Sequence, residues 1–540
     1  MDRDKQPQTT SEEQGGLAYK WKVLISVVFG VFMIILDTTV VNVAFQTLRR
    51  EFGATLNDSQ WIISVYVLAL GISTPMSGFL ADRFGVKRMY IGGLTFFVLG
   101  SLLCGIAPNL WWLVGARALQ GAGGGVAQPL ASALLYSAFP VEEQGLALGF
   151  FGIALVVAPA LGPILGGWLV DQNLWRAIFF INLPVGAVGL TLASRFLRPH
   201  KSERKPRLDP LGLFTSVVGF GSVLYAASIA ADRGWGSTSV VTSFGVGAAA
   251  LLAFVVVELF VAKEPMLDLR LFKRSTFLTA SLIGYVTVLA LFGAEFLLPV
   301  YLQALRGRTA LETGFILLPM ALTSGVVTPV AGRLYDKIGP RPLVVAGFSI
   351  LLINTWQLAK LDATTPISWI LFLLALRGAA LGMTVQTTFA TALSAVPRNA
   401  LPRGSSLVNS TRFVVQSIGV AILSTILVST LSPTVQAQQQ QLQDATPTAV
   451  TQHFGICETP GLKPGAPNLP PTVPKNLPPP ATKQIVQGIQ QACTENLAGF
   501  DRAYTWTFYV AFLAIFIGMF LPGWPLKWAG RTAAAPTPAH

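Results

Sequence analysis

The sequence predicts an all-α integral membrane protein with fourteen transmembrane helices, arranged as two six-helix pseudo-symmetric halves with two further helices inserted between them. Its composition, its recurring apolar blocks and a repeated loop motif lead to this fold class. Of the 540 residues, 52% are hydrophobic and 12% are charged, against about 25% charged residues in soluble domains. Blocks of roughly 18 to 25 apolar residues can each cross a hydrocarbon core of about 30 Å, and in lipid such segments become helices.

The apolar blocks are separated by polar or turn-forming segments. The predicted spans are 23–45, 60–80, 90–107, 111–136, 146–170, 175–197, 211–231, 239–261, 276–300, 311–332, 343–360, 366–392, 405–431 and 504–527. The first block is too long for a signal-peptide core and has no clear cleavage site, so we predict that it forms the first helix.

The net charge of +13 is explained by membrane topology, and we expect no nucleic-acid partner. With the N-terminus in the cytoplasm, the cytoplasmic segments hold 24 Lys/Arg and the outer segments hold 11. This asymmetry follows the positive-inside rule and predicts a multi-pass protein of the cell (plasma or inner) membrane with both termini cytoplasmic. The densest basic cluster, at 195–207, is interpreted as a topology signal, with binding of anionic membrane lipid as the alternative.

An internal repeat divides the chain into two halves. Gly78–Arg88 and Gly332–Arg341 both read G-x-x-x-D-[RK]-x-G-x-[KR] and lie 254 residues apart. Two parallel repeats of this kind are a known architecture of membrane transporters. The predicted organisation is an N-terminal tail at 1–22, a first half at 23–197, inserted helices 7 and 8 with their flanking loops at 198–275, a second half at 276–528 and a C-terminal tail at 529–540.

Four charged residues lie deep within the predicted spans: Asp37, Arg117, Glu295 and Arg377. Arg117 and Arg377 are 260 residues apart, and Asp37 and Glu295 are 258 apart, close to the repeat spacing. A charge at the centre of a membrane helix costs about 2.5–3.5 kcal/mol on insertion scales, so such residues are candidates for function. We predict that these four residues take part in proton coupling.

The chemistry expected of these carboxylates is reversible proton binding. A buried carboxyl group holds a proton when it is isolated and releases it when a cation approaches, and a cationic substrate can compete with the proton. The alternative for Asp37 is a static ion pair or a helix–helix hydrogen bond, and the alternative for Arg117 is a structural or gating role. Two further charges, Glu258 and Arg412, lie nearer the inner ends of their spans, where we expect their side chains to reach the interface.

The repeated loop is predicted to act as a gate. Its glycines allow close helix approach and tight turns, its aspartate can accept backbone N–H groups or an arginine at a helix end, and its basic residues anchor at the inner leaflet. Such a cluster can hold helix ends together in one conformation and release them in another. The predicted gating residues are Gly78, Asp82, Arg83, Gly85, Arg88 and Asp336.

The fifth predicted span combines small residues with a proline. Gly162, Pro163, Gly166 and Gly167 favour close contact with a partner helix and a local bend, although ordinary membrane packing uses the same residues.

The segment 432–503 is rich in Gln, Pro, Thr and Ala, so its middle is predicted to be an irregular loop, with short helical extensions expected at its ends. The predicted topology places this loop outside the cytoplasm. It contains Cys457 and Cys493, for which we predict a disulfide, with two free thiols as the alternative. The length of the loop suggests contact with a partner in the cell envelope.

The sequence argues against an enzyme and against a primary pump. His200, His453 and His540 all fall in loops or the tail, so they form no buried catalytic or metal cluster. No G-x-x-x-x-G-K-[ST] motif for ATP phosphates is present. We expect no metal and no cofactor, with the proton as the coupling ion.

Several segments together resemble the fourteen-span drug:proton antiporter branch of the major facilitator superfamily. They are Leu36–Ala44, Gly78–Arg88, Arg117–Gly121, Gly162–Gly167, Trp175–Gly186 and Leu298–Gln303. The resemblance covers nearly the whole chain except the tail and 432–503. It departs from the family pattern at Gln46, where proline usually ends the first motif, and at Ala158, where glycine usually opens the fifth-helix motif.

The resemblance implies that Asp37 and Arg117 take part in proton coupling, that the Asp82 loop gates, and that Gly162–Gly167 forms an antiport-specific bend. The expected function is proton-coupled export of small amphipathic or cationic drugs by alternating access, that is, multidrug efflux and antibiotic resistance. The driving force suffices, at about 2.3 kcal/mol per charge per 100 mV and about 1.4 kcal/mol per pH unit. The alternative is export or flipping of a lipid, glycolipid or other envelope metabolite on the same fold.

Overall fold

The computed structural model describes residues 17–199, 209–262, 264–432, 456–457 and 479–523. Within these ranges the backbone alone is described at 46, 56–57, 231–232, 291–296, 310 and 479–485. All regular elements of this part of the chain are helices, as the all-α prediction requires.

The helices follow one another with short connections. They are α1 Tyr19–Glu51, α2 Leu56–Phe84, α3 Val86–Gly105, α4 Leu110–Ala138, α5 Gln144–Asp171, α6 Ala177–Phe180, α7 Asn182–Phe196, α8 Pro210–Arg233, α9 Thr238–Val256, α10 Ser275–Val300, α11 Ala310–Ile338, α12 Pro340–Ala359, α13 Ile367–Ser394, α14 Leu401–Ser429 and α15 Pro479–Gly518. Single turns of π-helix extend α9 and α10, at Val257–Val261 and Tyr301–Leu305.

Eleven helices of the described residues are long and apolar enough to cross a membrane. The protein is therefore a multi-span membrane protein, and the count of fourteen crossings stays a prediction. Most helices extend beyond the predicted apolar blocks; α1, for example, covers Tyr19–Glu51 where the prediction covers 23–45. The difference arises because helical hydrogen bonding continues into polar residues that lie outside the apolar block.

The last helix begins earlier than predicted, because residues 479–503 of the predicted loop form the first part of α15, a longer helical extension than the short one expected. Cys493, Asn496 and Phe500 are buried at spacings of three and four residues, which is the pattern of one helix face against a core. Residues 433–455 and 458–478 of the predicted loop lie outside the described residues.

Two helix pairs join the halves. Antiparallel α5 and α11 pack along most of their length, and α14 packs on α2 at the end where α2 finishes. The inserted helices α8 and α9 pack on each other, and α8 also contacts α2 and α14. The inserted pair thus lies beside one of the two contacts between the halves.

The repeated loops have the same backbone shape. Gly85 ends α2 with φ at 93°, and Gly339 ends α11 with φ at 84°. Residues other than glycine rarely adopt a positive φ, which explains why glycine stands at the same place in both motifs.

Candidate functional site

A polar network lies inside the first half around Asp37, near the middle of α1. The Asp37 side chain is fully buried, and its Oδ2 forms an ion pair with Nη1 of Arg117 on α4. Its Oδ1 accepts hydrogen bonds from Gln120 Nε2 and Asn182 Nδ2, both at 2.8 Å. Ser101 Oγ accepts from the same two amides, at 2.6 Å and 3.2 Å. We call these five residues the polar network.

The guanidinium of Arg117 is held from several sides. Its Nε donates to the carbonyl of Ile62 at 3.2 Å, and its Nη1 also donates to Gln120 Oε1 at 2.7 Å. The ring of Tyr66 lies 4.0 Å from the guanidinium carbon. A buried ion pair is favourable only when the remaining polar atoms are hydrogen-bonded, and here the surrounding residues meet that condition.

The sequence identified Asp37 and Arg117 separately, and the structure brings them together. Gln120, Asn182 and Ser101 were missed as network residues. Gln120 lies three residues after Arg117 on one helix face, which is a spacing that could have identified it. Asn182 and Ser101 are uncharged, so a search for charges within spans passes over them.

Arg377, the repeat counterpart of Arg117, is also buried, on α13. Its Nη1 donates to Asn354 Oδ1 at 3.2 Å, and its Nη2 donates to the carbonyl of Ala290. Glu295 lies on α10, but its side chain is outside the described residues, so its predicted role stays a prediction.

One repeated loop contacts the other half through a side chain. Asp82, near the end of α2, forms an ion pair with Nε of Arg403 in the first turn of α14. Nη1 of Arg403 also donates to the carbonyl of Pro265 at 3.1 Å. A Cβ at Gly78 would lie 2.8 Å from Arg403 Cα, so a residue without a side chain is needed for this approach.

The second loop contacts the first half through backbone. Asp336 accepts hydrogen bonds from the backbone N–H groups of Gly145 and Leu146, at 3.0 Å and 3.1 Å, in the first turn of α5. The positive end of the α5 dipole favours a carboxylate there. A Cβ at Gly332 would lie 2.3 Å from the carbonyl oxygen of Gly145. We call the Asp82 and Asp336 contacts together the latch.

Other predicted gating residues lie at the surface of the latch end. Arg88 is exposed, and Arg83 lies 5.6 Å from the ring of Phe84. Lys87, next to them in the motif, donates to the carbonyl of Ser194 at 2.7 Å.

The small residues of α5 contact the helix that carries Asp37. A Cβ at Gly162 would lie 2.0 Å from Thr39 Oγ1, and one at Gly166 would lie 3.1 Å from the carbonyl oxygen of Val40. Thr39 is two residues beyond Asp37, so the polar network lies close to this contact between α1 and α5.

The same helix also contacts the second half. A Cβ at Gly167 would lie 3.5 Å from the backbone nitrogen of Leu311, and one at Gly314 would lie 3.2 Å from Pro163 Cβ. The small residues of α5 therefore lie between the helix that carries Asp37 and α11.

At the opposite end, Cys457 and Cys493 form a disulfide with Cα atoms 5.2 Å apart. The backbone N–H groups of Ile456 and Cys457 donate to the carbonyls of Ala304 and Leu305, at 3.0 Å and 2.8 Å. The disulfide therefore ties α15 to the end of the helix that begins as α10.

Helices that carry a repeated loop motif and pack through the α5–α11 and α2–α14 contacts are typical of a membrane transporter rather than an enzyme. The chain belongs to the Major Facilitator Superfamily, whose pattern matches residues 27–420. It is 32% identical over 431 residues to the Multidrug resistance protein Stp of Mycobacterium tuberculosis, covering 80% of this chain and 79% of that protein. It is 30% identical over 407 residues to the Lincomycin resistance protein LmrB of Bacillus subtilis, covering 75% of this chain and 85% of that protein.

Among solved structures, the chain is similar to the human organic anion transporter MFSD10 (TETRAN). The TM-score is 0.55 at 13% identity, over 91% of this chain and 99% of the other. This likeness shows the shared fold.

Proposed function

We propose that this transporter exports amphipathic drugs, cationic ones among them, across the cell membrane in exchange for protons by alternating access. The observation that carries the proposal is the buried Asp37–Arg117 ion pair inside a network of amide donors. The resistance proteins named above support drugs as the class of cargo.

In this mechanism the proton binds an oxygen of Asp37 and neutralises the carboxylate. Arg117 then loses its ionic partner but keeps its hydrogen bonds to Ile62 and Gln120, so the cation remains solvated by the protein. Gln120 and Asn182 retain Ser101 as an acceptor. Loss of the proton restores the ion pair, and the network returns to the arrangement described above.

The α1–α5 contact carries the change to the interface between the halves. Neutral Asp37 no longer draws α1 toward Arg117, and α1 is packed on α5 through Thr39 and Gly162. Because α5 also contacts α11, displacement of α1 changes the packing between the halves. The latch holds the helix ends together in the conformation described here, and its release opens the transporter at the latch end.

The proposal is tested in proteoliposomes that carry an internal pH dye and an imposed pH gradient. Ethidium, tetraphenylphosphonium and lincomycin are added in turn to wild type, Asp37→Asn and Asp171→Asn. Asp171 is an exposed carboxylate at the end of α5, so its variant is the matched control.

We expect substrate-triggered proton movement in wild type and in Asp171→Asn, and at least about a tenfold lower rate in Asp37→Asn because the site can no longer exchange a proton. Equal rates in all three proteins would remove Asp37 from the coupling path. Absence of proton movement in folded wild type with every probe would contradict drug:proton exchange and favour the export of lipid or another envelope metabolite.

A further inference from the structure

Arg412 lies deep in α14, on the face that points toward the first half. The sequence suggested that it reaches the interface, but it is eleven residues from the start of α14, or about 16 Å along the helix. Ser405 Oγ donates to the carbonyl of Pro129 on α4 at 2.8 Å. Asn409 and Arg412 follow Ser405 by four and seven residues, so they lie on that same face one and two turns further on.

The packing of α14 loosens at this level. Residues 401–408 are all buried, whereas residues 411–418 are all partly exposed. The first two turns of α14 therefore close against the first half, and the packing around α14 is looser beyond them. Arg412 lies in this more loosely packed part of α14.

The described surroundings of Arg412 are aromatic. Its guanidinium carbon lies 5.8 Å from the ring centroid of Phe389 on α13. Tyr285 on α10 lies next to it and also close to Thr411. Among the side chains that the structure describes, no carboxylate forms an ion pair with Arg412.

The side chain of Glu295 on α10 lies outside the described residues. Unlike Arg412, Arg117 and Arg403 both have carboxylate partners within the described part of the chain. A cation in a membrane interior without an anion is costly, and such residues mark ligand pathways.

We propose that Arg412 is an anion-binding subsite for cargo. Its ligand is the carboxylate, sulfonate or phosphate group of an amphipathic molecule whose apolar body packs against Phe389 and Tyr285. Arginine suits this task because its fork of N–H donors matches the oxygens of such groups, while neighbouring aromatic rings take the apolar part. The proposal rests on the proposed export function and extends its cargo to acidic amphiphiles.

The test compares two probes with one skeleton, 8-anilinonaphthalene-1-sulfonate and the uncharged N-phenyl-1-naphthylamine. Their affinities are measured by fluorescence in phosphatidylcholine nanodiscs, after subtraction of empty nanodiscs. The proteins are wild type, Arg412→Lys, Arg412→Gln and Arg412→Met. The methionine variant is a second neutral form, since it suits an apolar site if the glutamine variant does not fold.

The neutral variants should bind the sulfonate about tenfold more weakly, as expected for loss of one charged hydrogen-bonded contact, and the uncharged probe within about twofold of wild type. Arg412→Lys should weaken sulfonate binding less than the neutral variants do, because it retains the charge but loses the fork of N–H donors. An equal loss for both probes, or no loss for either, would overturn the anion subsite.

Two further arms identify the source of the anion and separate this proposal from export itself. With phosphatidylglycerol in the nanodiscs, a drop in sulfonate affinity that occurs in wild type and not in Arg412→Gln assigns the subsite to a lipid headgroup. An unchanged affinity assigns it to an acidic solute. Because the Asp37→Asn experiment reads proton exchange, its success with failure here would overturn the subsite and leave export standing.

Discussion

The two repeated loops share a motif and a backbone shape, yet they bind the opposite half in different ways. Asp82 forms an ion pair with the side chain of Arg403, whereas Asp336 accepts from the backbone N–H groups of Gly145 and Leu146. The repeat thus fixes where each carboxylate lies, and the opposite half decides what it binds.

The helix starts that face the loops explain the difference. α14 begins with Leu401 and Pro402, and proline has no N–H group to offer a carboxylate. α5 begins with Gln144 and Gly145, and the missing side chain of Gly145 lets α11 approach until Asp336 reaches free N–H groups. One half of the latch is therefore ionic, and the other depends on a helix terminus.

The largest expected effect follows from removal of each carboxylate. Asp82→Asn leaves Arg403, which is 7% exposed, without its ion-pair partner, and removal of one partner from a nearly buried ion pair is strongly unfavourable. Asp336→Asn keeps one oxygen that can accept from α5. Maleimide labelling of Ser405→Cys, at the closed interface, should accelerate about tenfold with Asp82→Asn and about threefold with Asp336→Asn.

A second substitution separates the two mechanisms. Arg403→Gln added to Asp82→Asn removes both charges, so labelling should return to within about threefold of the parent. The same addition to Asp336→Asn should bring no recovery. If Asp82→Asn and Asp336→Asn accelerated labelling equally, and Arg403→Gln slowed it again in neither, the two contacts would be of one kind.

The next effect concerns the glycines at which helices of the two halves approach closely. Gly332→Ala places a Cβ 2.3 Å from the carbonyl of Gly145, and Gly78→Ala places one 2.8 Å from Arg403 Cα. Neither backbone can move without separating the halves. We expect each variant to lower stability by about 1–3 kcal/mol, with the larger loss at Gly332, measured by thermal unfolding in nanodiscs.

Gly92→Ala is the matched control, because a Cβ there would meet nothing within 4 Å in the same kind of helix. It should leave stability unchanged or raise it slightly, since alanine favours helix over glycine. A loss at Gly92 as large as that at Gly332 would mean that helix propensity, and not contact between the halves, governs these positions.

The sequence was a good guide to the positions of residues and a poor guide to their partners. Buried charges and repeated glycines are visible in one chain, because lipid makes charges costly and a positive φ requires glycine. The Asp82–Arg403 contact joins residues 321 positions apart, and it depends on how the halves dock. No local pattern encodes that relation.

Glu258 shows the same limit of prediction from sequence. The sequence suggested that its side chain reaches the interface, but it is 1% exposed, so that expectation was wrong. The segment after α9 folds back over it, and its Oε2 accepts from the backbone N–H of Leu267 at 3.4 Å. A loop without regular structure covers this carboxylate, and such coverage leaves no periodic signal in the sequence.

The smallest expected effect is one in which the two loops should respond alike. Gly85 and Gly339 have φ values of 93° and 84° and extended ψ values of 137° and 178°. Alanine at either position is strained whatever lies around it, at a cost of about 1–2 kcal/mol. Thermal unfolding of Gly85→Ala and Gly339→Ala should therefore show losses of similar size, in contrast to the unequal effects at the carboxylates. A difference of more than about 1 kcal/mol would indicate that the opposite half also constrains the backbone of these loops. The two loops would then differ in their backbone as well as in the groups that their carboxylates bind.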